Sequence, residues 1–251
     1  MAAHLLKDMV GKTYVNSFGT SFTIVEYVNS KNITIQFQDD NMHITKTRLQ
    51  SIKKGNVRNP FDKSVFGVGY IGIGIYSPTD GKKATIAYEH WRSMLLRCYC
   101  KNTQQTNPTY RGCTVSEDWF CYQVFAEWFY KNKFHTYGYQ LDKDILVKDN
   151  KNYSPETCCL VPREINTMFN NREAARGICP QGVRPYNNSG RFEAKVRESG
   201  VYRPLGVFDT PEEAFEAYKV GKERRVKEIA LKWKGKIEDE VFQVLMTWEL
   251  N

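Results

Sequence analysis

No stretch of this sequence reaches the roughly 18 consecutive apolar residues that a bilayer-spanning helix needs, so nothing in it argues for a membrane. The opening MAAHLLKDMV has too short an apolar run for a secretory signal. The seven cysteines (Cys98, Cys100, Cys113, Cys121, Cys158, Cys159 and Cys179) are odd in number and form no CxxC pair. A zinc site is therefore unsupported, and the expectation is an intracellular, cytoplasmic chain with reduced, mostly buried thiols. There is no internal repeat with a period of 20 to 50 residues and no low-complexity run. The glycine-rich stretch FGVGYIGIGIYSP lacks GxxxxGK[ST] and no long helix follows it, which argues against a phosphate-cradling loop. Acidic residues are also in deficit. Lys plus Arg outnumber Asp plus Glu by 36 to 28, a net charge of +8, and the pI is near 9.0. That balance favours a polyanionic partner such as nucleic acid.

What is present is core-forming. Hydrophobic residues make up 41% of the 251 and aromatics 14%, enough for one large domain or two to three small ones. A first segment, residues 1–78, is β-rich: FTIVEYV and ITIQF flank Asn-Ser-Lys-Asn as a hairpin, with VGKTY and MHITKTRLQSI as further strands of a small barrel-like module. Glycines 67, 69, 72 and 74 alternate with apolar residues, as expected of a tight strand whose backbone packs closely.

After the turn-forming PTDGKK, a second segment spans residues 79–176. Its first helix, 84–99, places Tyr88, Trp91, Met94, Leu95 and Cys98 on one face, and a second, 116–132, carries the stripe Trp119, Tyr122, Phe125, Ala126 and Phe129. A third, PREINTMFNNREAA, begins at Pro162. The final segment, 177–251, reads as three short strands separated by Asn-Asn-Ser-Gly and Glu-Ser-Gly turns. Thr210 then caps a long helix with Pro211 at its first position. The tail DEVFQVLMTWELN is apolar enough to dock on another segment. The architecture expected is thus α+β and multi-domain.

The middle strand alternates Arg191, Phe192, Glu193, Ala194, Lys195, Val196, Arg197. Strand side chains change face at every residue, so Arg191, Glu193, Lys195 and Arg197 share the outer face. Arg184 and Tyr186 join from the first strand, and Tyr202 and Arg203 from the third. A sheet of this size enters the major groove, which is about 12 Å wide, where Arg and Lys bond guanine and Glu accepts from cytosine. A solvated sheet face is the competing reading.

The order GVRPY…SGRFEAKVR…LGVFDTPEEAFEAYK, from residue 182 to about 232, resembles an AP2-type DNA-binding domain, as in plant transcription factors and phage homing endonucleases. The resemblance implies that the sheet, not the helix, reads double-stranded DNA.

Residues 86 to 172 resemble a divergent branch of phage HNH endonucleases, through YEHWRSMLLRCY, NPTYRGCTV, the W…F…W helix and LDKDILVKDNKNYSPETCCLVPREIN. The resemblance implies a ββα hairpin with a divalent metal (Mg2+ or Mn2+) that polarises the phosphate. It puts the metal-binding Asp at Asp142 and the helix ligand at Asn166. The loop Asn falls at Asn150 or Asn152, and a further bracing position at Thr157. Lys143 stands where the family has its histidine base, as a catalytic candidate suited to holding the scissile phosphate. His135, seven residues before Asp142, is another source of imidazole. A different reading has Asp142 and Asp144 simply flanking a strand and pairing with Lys143 and Lys148. Three functions stay open: a site-specific metal-dependent DNA endonuclease, which is favoured; a cleavage-dead DNA-binding regulator; and a recruitment module acting through the apolar tail and the N-terminal segment.

Overall fold

The computed structural model describes residues 9–169, 179–198 and 200–250. The fold is α+β, with a boundary between two compact units at Lys131/Asn132. The sequence-based limits at 78 and 176 therefore fall inside these units. Among the described residues no helix is long and apolar enough to cross a membrane.

The first unit opens with β1 (Thr13–Val15), β2 (Ser21–Asn29), β3 (Asn32–Phe37) and β4 (Ile44–Thr47), an antiparallel meander in sequence order. Alternation sends Phe22, Ile24, Ile33, Ile35 and Phe37 inward, all fully buried. The short helix α1 (Leu49–Lys53) and the residues after it cover that face with Ile52 and Val57. The expected barrel is not closed: β1 and β4 remain separate edges of an open sheet. A minimal hairpin, β5 (Thr79–Asp80) and β6 (Lys83–Ala84), precedes α2 (Ile86–Tyr99), which Thr85 caps by accepting from Tyr88 N.

α3 (Lys101–Thr106), a 3₁₀ turn at Pro108–Tyr110 and β7 (Thr114–Val115) follow. The second expected helix is split. Glu117–Phe120 is a 3₁₀ turn, Ser116 makes no side-chain cap, and the α-helix α4 runs Tyr122–Lys131. Its aromatic stripe packs on Trp91, Met94 and Leu95 of α2, and the Trp91 indole donates to the Trp119 carbonyl at 2.7 Å. The glycine-rich stretch is an irregular strap and not a strand. Close packing is its purpose all the same: a Cβ on Gly69 would lie 2.4 Å from Leu95 and one on Gly74 2.3 Å from Gln123.

The second unit contains the expected hairpin. β8 (Tyr139–Asp142) pairs antiparallel with β10 (Cys159–Pro162), β9 (Asn152–Tyr153) lies between them in sequence, and α5 (Arg163–Met168) packs on both hairpin strands. The expected continuation of that third helix past Phe169 lies outside the described residues. β11 (Val183–Tyr186), β12 (Arg191–Glu198) and β13 (Val201–Phe208) form the expected three-stranded antiparallel sheet. It is backed by α6 (Pro211–Lys232), whose N-terminus has Thr210 and Glu213 in a reciprocal capping box and Pro211 in the first turn.

At 22 residues, α6 is about 33 Å long and belongs to two cores. Its first half supplies Ala214 and Tyr218 to the core under the sheet, with Val183 and Ala194. Its second half supplies Val226, Ile229 and Ala230 to a core shared with Ile145, Cys159, Val161 and Ile165 of the hairpin. The apolar tail docks there too: α7 (Asp239–Met246) buries Val241 and Leu245 in the same core. A recruitment role through an exposed apolar tail loses its surface by this packing. All seven cysteines are free thiols, with Cys98, Cys113, Cys158 and Cys159 buried. Burial pushes the Cys158 thiol up to about 12, which makes it inert.

Candidate nucleic-acid interface

The sheet face opposite α6 forms as alternation demands. Ala194 and Val196 are buried toward the helix, Phe192 is half-buried, and Arg191 and Arg197 are exposed. The pairs Tyr186↔Arg191, Arg184↔Glu193, Glu193↔Val207 and Arg197↔Tyr202 assemble one continuous outer face. Its centre is Glu193, whose carboxylate accepts from Arg184 Nε at 2.6 Å and meets Lys195 Nζ at 3.3 Å. The Arg184 hydrogen bond, helped by Lys195 and opposed by some desolvation, holds that carboxyl below its ordinary range. Arg191 pairs with Asp209 at 2.9 Å and donates to the Val207 carbonyl at 3.3 Å. Lys195 and Arg197 flank the Tyr202 ring, 5.5 and 5.9 Å from its centroid. Four cations, Arg184, Arg191, Lys195 and Arg197, thus stand against Glu193 and Asp209.

Arg203 departs from expectation. Ala194 pairs with Gly206 and Lys195 with Pro204, so Leu205 is an extra residue, a β-bulge. Beyond it the faces of β13 exchange: Arg203 lies opposite Val196, on the other side of the sheet from Lys195, and approaches Glu198 at 3.7 Å. Gly206 takes φ +148°, and a Cβ there would lie 2.9 Å from the Phe208 ring. The bulge replaces Arg203 on the outer face with Tyr202, which is 62% exposed, while Val207 pairs with Glu193 on its other side. The glycine inside an otherwise regular strand was the one local sign of it.

The hairpin is arranged differently. Asp142 Oδ1 accepts both the Asp144 and Ile145 amides at 2.8 Å, an Asx turn that ends β8. Burial is the largest influence on the Asp142 carboxyl and raises its pKa, against the lowering by those two amides. Lys143 is only 6% exposed. Its ammonium binds Asp144 and donates to the Asn150 carbonyl at 2.5 Å, with the Tyr153 ring 5.7 Å away. Asn150 returns the contact, donating to the Lys143 carbonyl at 2.9 Å and to that of Asn152 at 2.6 Å. Asn150 is thus the bracing asparagine of the loop, and Thr157 assists by donating to the Asn152 carbonyl at 2.8 Å.

These contacts engage the Lys143 ammonium inside the loop. Asn166 donates to Gln140 Oε1 at 2.5 Å, and His135 Nδ1 is engaged by the Asn132 carbonyl. The expected metal pair, Asp142 and Asn166, is partly engaged within the protein. One Asp142 oxygen serves two amides, a buried ammonium sits next in sequence, and the Asn166 amide is held by Gln140.

No protein-family model matches the chain, and no curated protein or solved structure matches it either.

Proposed function

We propose that this chain is a double-stranded DNA-binding protein of phage homing-endonuclease type, acting in the cytoplasm of the host cell as a regulator that holds DNA without cutting it. The observation that carries this reading is the outer sheet face: Arg184, Arg191, Lys195 and Arg197 around Glu193, with Tyr202 between two of the cations. Arg and Lys on a groove-sized sheet supply bonds to base edges and phosphates. The Arg191–Asp209 pair is exposed enough to exchange its carboxylate for a phosphate at small cost, and Arg184 is half exposed beside the more covered Glu193. The ββα hairpin serves as scaffold in this reading, because Lys143 fills the family's base position as an internal pin and Asp142 as a turn cap.

The test is binding of a fluorescent duplex across salt concentrations, together with plasmid nicking in Mg2+, Mn2+ and EDTA. With about six phosphates neutralised, log K should fall against log salt with a slope near −5. A slope near zero would remove DNA as the ligand. Metal-dependent nicking that Asp142→Ala abolishes would restore the endonuclease reading.

A further inference from the structure

We infer that the N-terminal module carries a second duplex-DNA contact, a backbone-binding strap formed by residues 48–58. The inference presupposes that the protein binds DNA, but not that the C-terminal sheet is the reader.

Residues 41–61 contain no acid and include His43, Lys46, Arg48, Lys53, Lys54 and Arg58. The fold gives this composition a direction. The strap is tied at one end to the β2–β3 turn, where Leu49 N donates to the Ser30 carbonyl at 2.9 Å. At the other end it is tied to the β1–β2 turn, where Ser17 N donates to the Gly55 carbonyl at 2.8 Å. It therefore covers the core face of the sheet between those turns; because Leu49–Lys53 is helical, the tied part from Leu49 to Gly55 is only about 9 Å long. Ile52 and Val57 are buried beneath it, 3% and 4% exposed, and Leu49 is half-buried. Arg48, Lys53, Lys54 and Arg58 are exposed, on its solvent side.

The described acids of the module do not neutralise them. Glu26 lies on the opposite face of the sheet, accepting from Thr34 at 2.8 Å. Asp62 is buried and takes Asn16 at 2.6 Å and Thr20 at 2.5 Å, Asp39 takes Asn59 at 2.6 Å, and Asp40 sits in the β3–β4 turn. Among the described residues none of the four strap cations has an ion pair.

Four unpaired cations spread along a surface of that length match a polymer with closely and regularly spaced charge. A duplex presents a phosphate about every 3.4 Å of axis on each strand, so the tied part of the strap spans about three steps. No aromatic side chain lies among its exposed cations, which fits contact with phosphates; the exposed amides Gln50 and Asn56 can donate to phosphate oxygens as well.

The test uses the full chain carrying Arg48→Gln, Lys53→Gln, Lys54→Gln and Arg58→Gln together, with thermal melting to verify folding. A parallel sheet variant carries Arg191→Ala, Lys195→Ala and Arg197→Ala. Binding to a random-sequence duplex is followed from 50 to 200 mM salt. Losing four phosphate contacts should reduce the salt slope by about 3.6, so that wild-type affinity falls about 150-fold more than the variant's over that range.

A folded strap variant with the wild-type slope overturns the inference and leaves the sheet reading intact. Loss in the strap variant alone supports the inference and sinks the sheet. A wild type that binds no duplex overturns both. Poly-glutamate that displaces the duplex at equal charge concentration overturns the assignment to DNA in favour of an acidic protein. Should the quadruple variant fail to fold, the pairs Arg48→Gln with Arg58→Gln and Lys53→Gln with Lys54→Gln should each lower the slope by about 1.8.

Discussion

Within the second unit, the hairpin and the three-stranded sheet treat their charges in opposite ways. The hairpin turns its own inward: Lys143 is 6% exposed and binds Asp144 and the Asn150 carbonyl, and Asp142 serves two backbone amides. The sheet displays its charges, with Arg184, Arg191 and Arg203 side chains each half or more exposed. Similar residue types stand in both places. What separates them is whether the backbone beside them has unsatisfied polar groups. The irregular loop after β8 has carbonyls to satisfy and recruits Lys143 and Asn150 for it. The ladder of β11–β13 satisfies most of its own backbone, and its arginines pair with Glu193 and Asp209 at the surface instead of being drawn into a loop.

The widest separation of the two regions is expected from Lys143→Met. It removes a charged hydrogen bond to a carbonyl and should lower stability by about 2–3 kcal/mol in urea unfolding, with duplex affinity unchanged for the folded fraction. Lys143→His should create no metal-dependent nicking. A stable Lys143→Met protein with weakened DNA binding would place the ammonium at the ligand and erase the contrast.

Next in size, Gly206→Ala places a Cβ at φ +148° against Phe208. It should cost about 2 kcal/mol by the same assay and move Tyr202 relative to Lys195 and Arg197. A neutral result would mean that the bulge does not set the face.

Smaller again, Arg191→Ala and Arg197→Ala should each relax base preference by about 1 kcal/mol in a binding-site selection. That is the low end for an arginine contact, because Arg191 must first leave Asp209. Arg203→Ala, on the other face, should leave the preference unchanged. Equal relaxation by all three would contradict the register across the bulge.

The smallest effect concerns acid. Burial raises the Asp142 pKa, so the native state holds that proton more tightly than the unfolded chain does. Its contribution to stability is full below the ordinary carboxylate range and is lost as pH rises through the raised value. Asp142→Asn keeps an oxygen for the Asp144 and Ile145 amides without the charge. Its advantage over wild type should therefore grow from about pH 3 to about pH 7 in urea midpoints. Parallel profiles would show that the carboxylate is not desolvated.

Which parts were legible follows from where the information lies. Strands β11–β13 and the start of α6 were readable because turns, alternation and the Thr210 cap are local signals. So was the bracing role at Asn150 or Asn152, which Asn150 fills. The inversion of Arg203 was not, because one extra residue shifts every later side chain to the other face and leaves composition untouched. The burial of Lys143 was illegible for another reason: a lysine between two aspartates looks solvated until the loop that needs its protons is folded around it. The open edge between β1 and β4 was hidden too, since alternating strands look alike in a barrel and in an open meander.

The double membership of α6 bears on how this protein comes apart. A helix whose first half completes the sheet core and whose second half completes the hairpin core cannot be released by one and kept by the other. Heat or denaturant should therefore melt hairpin, sheet and tail as one cooperative block, with the amides midway along α6 among the last to exchange with solvent. A fragment ending at residue 173 would lack Val226, Ile229 and Ala230 as well as the sheet, leaving the hairpin without the partner that buries it. In lineages that shuffle such modules, the hairpin and the sheet should travel together, because the piece that joins them is also the piece that folds them.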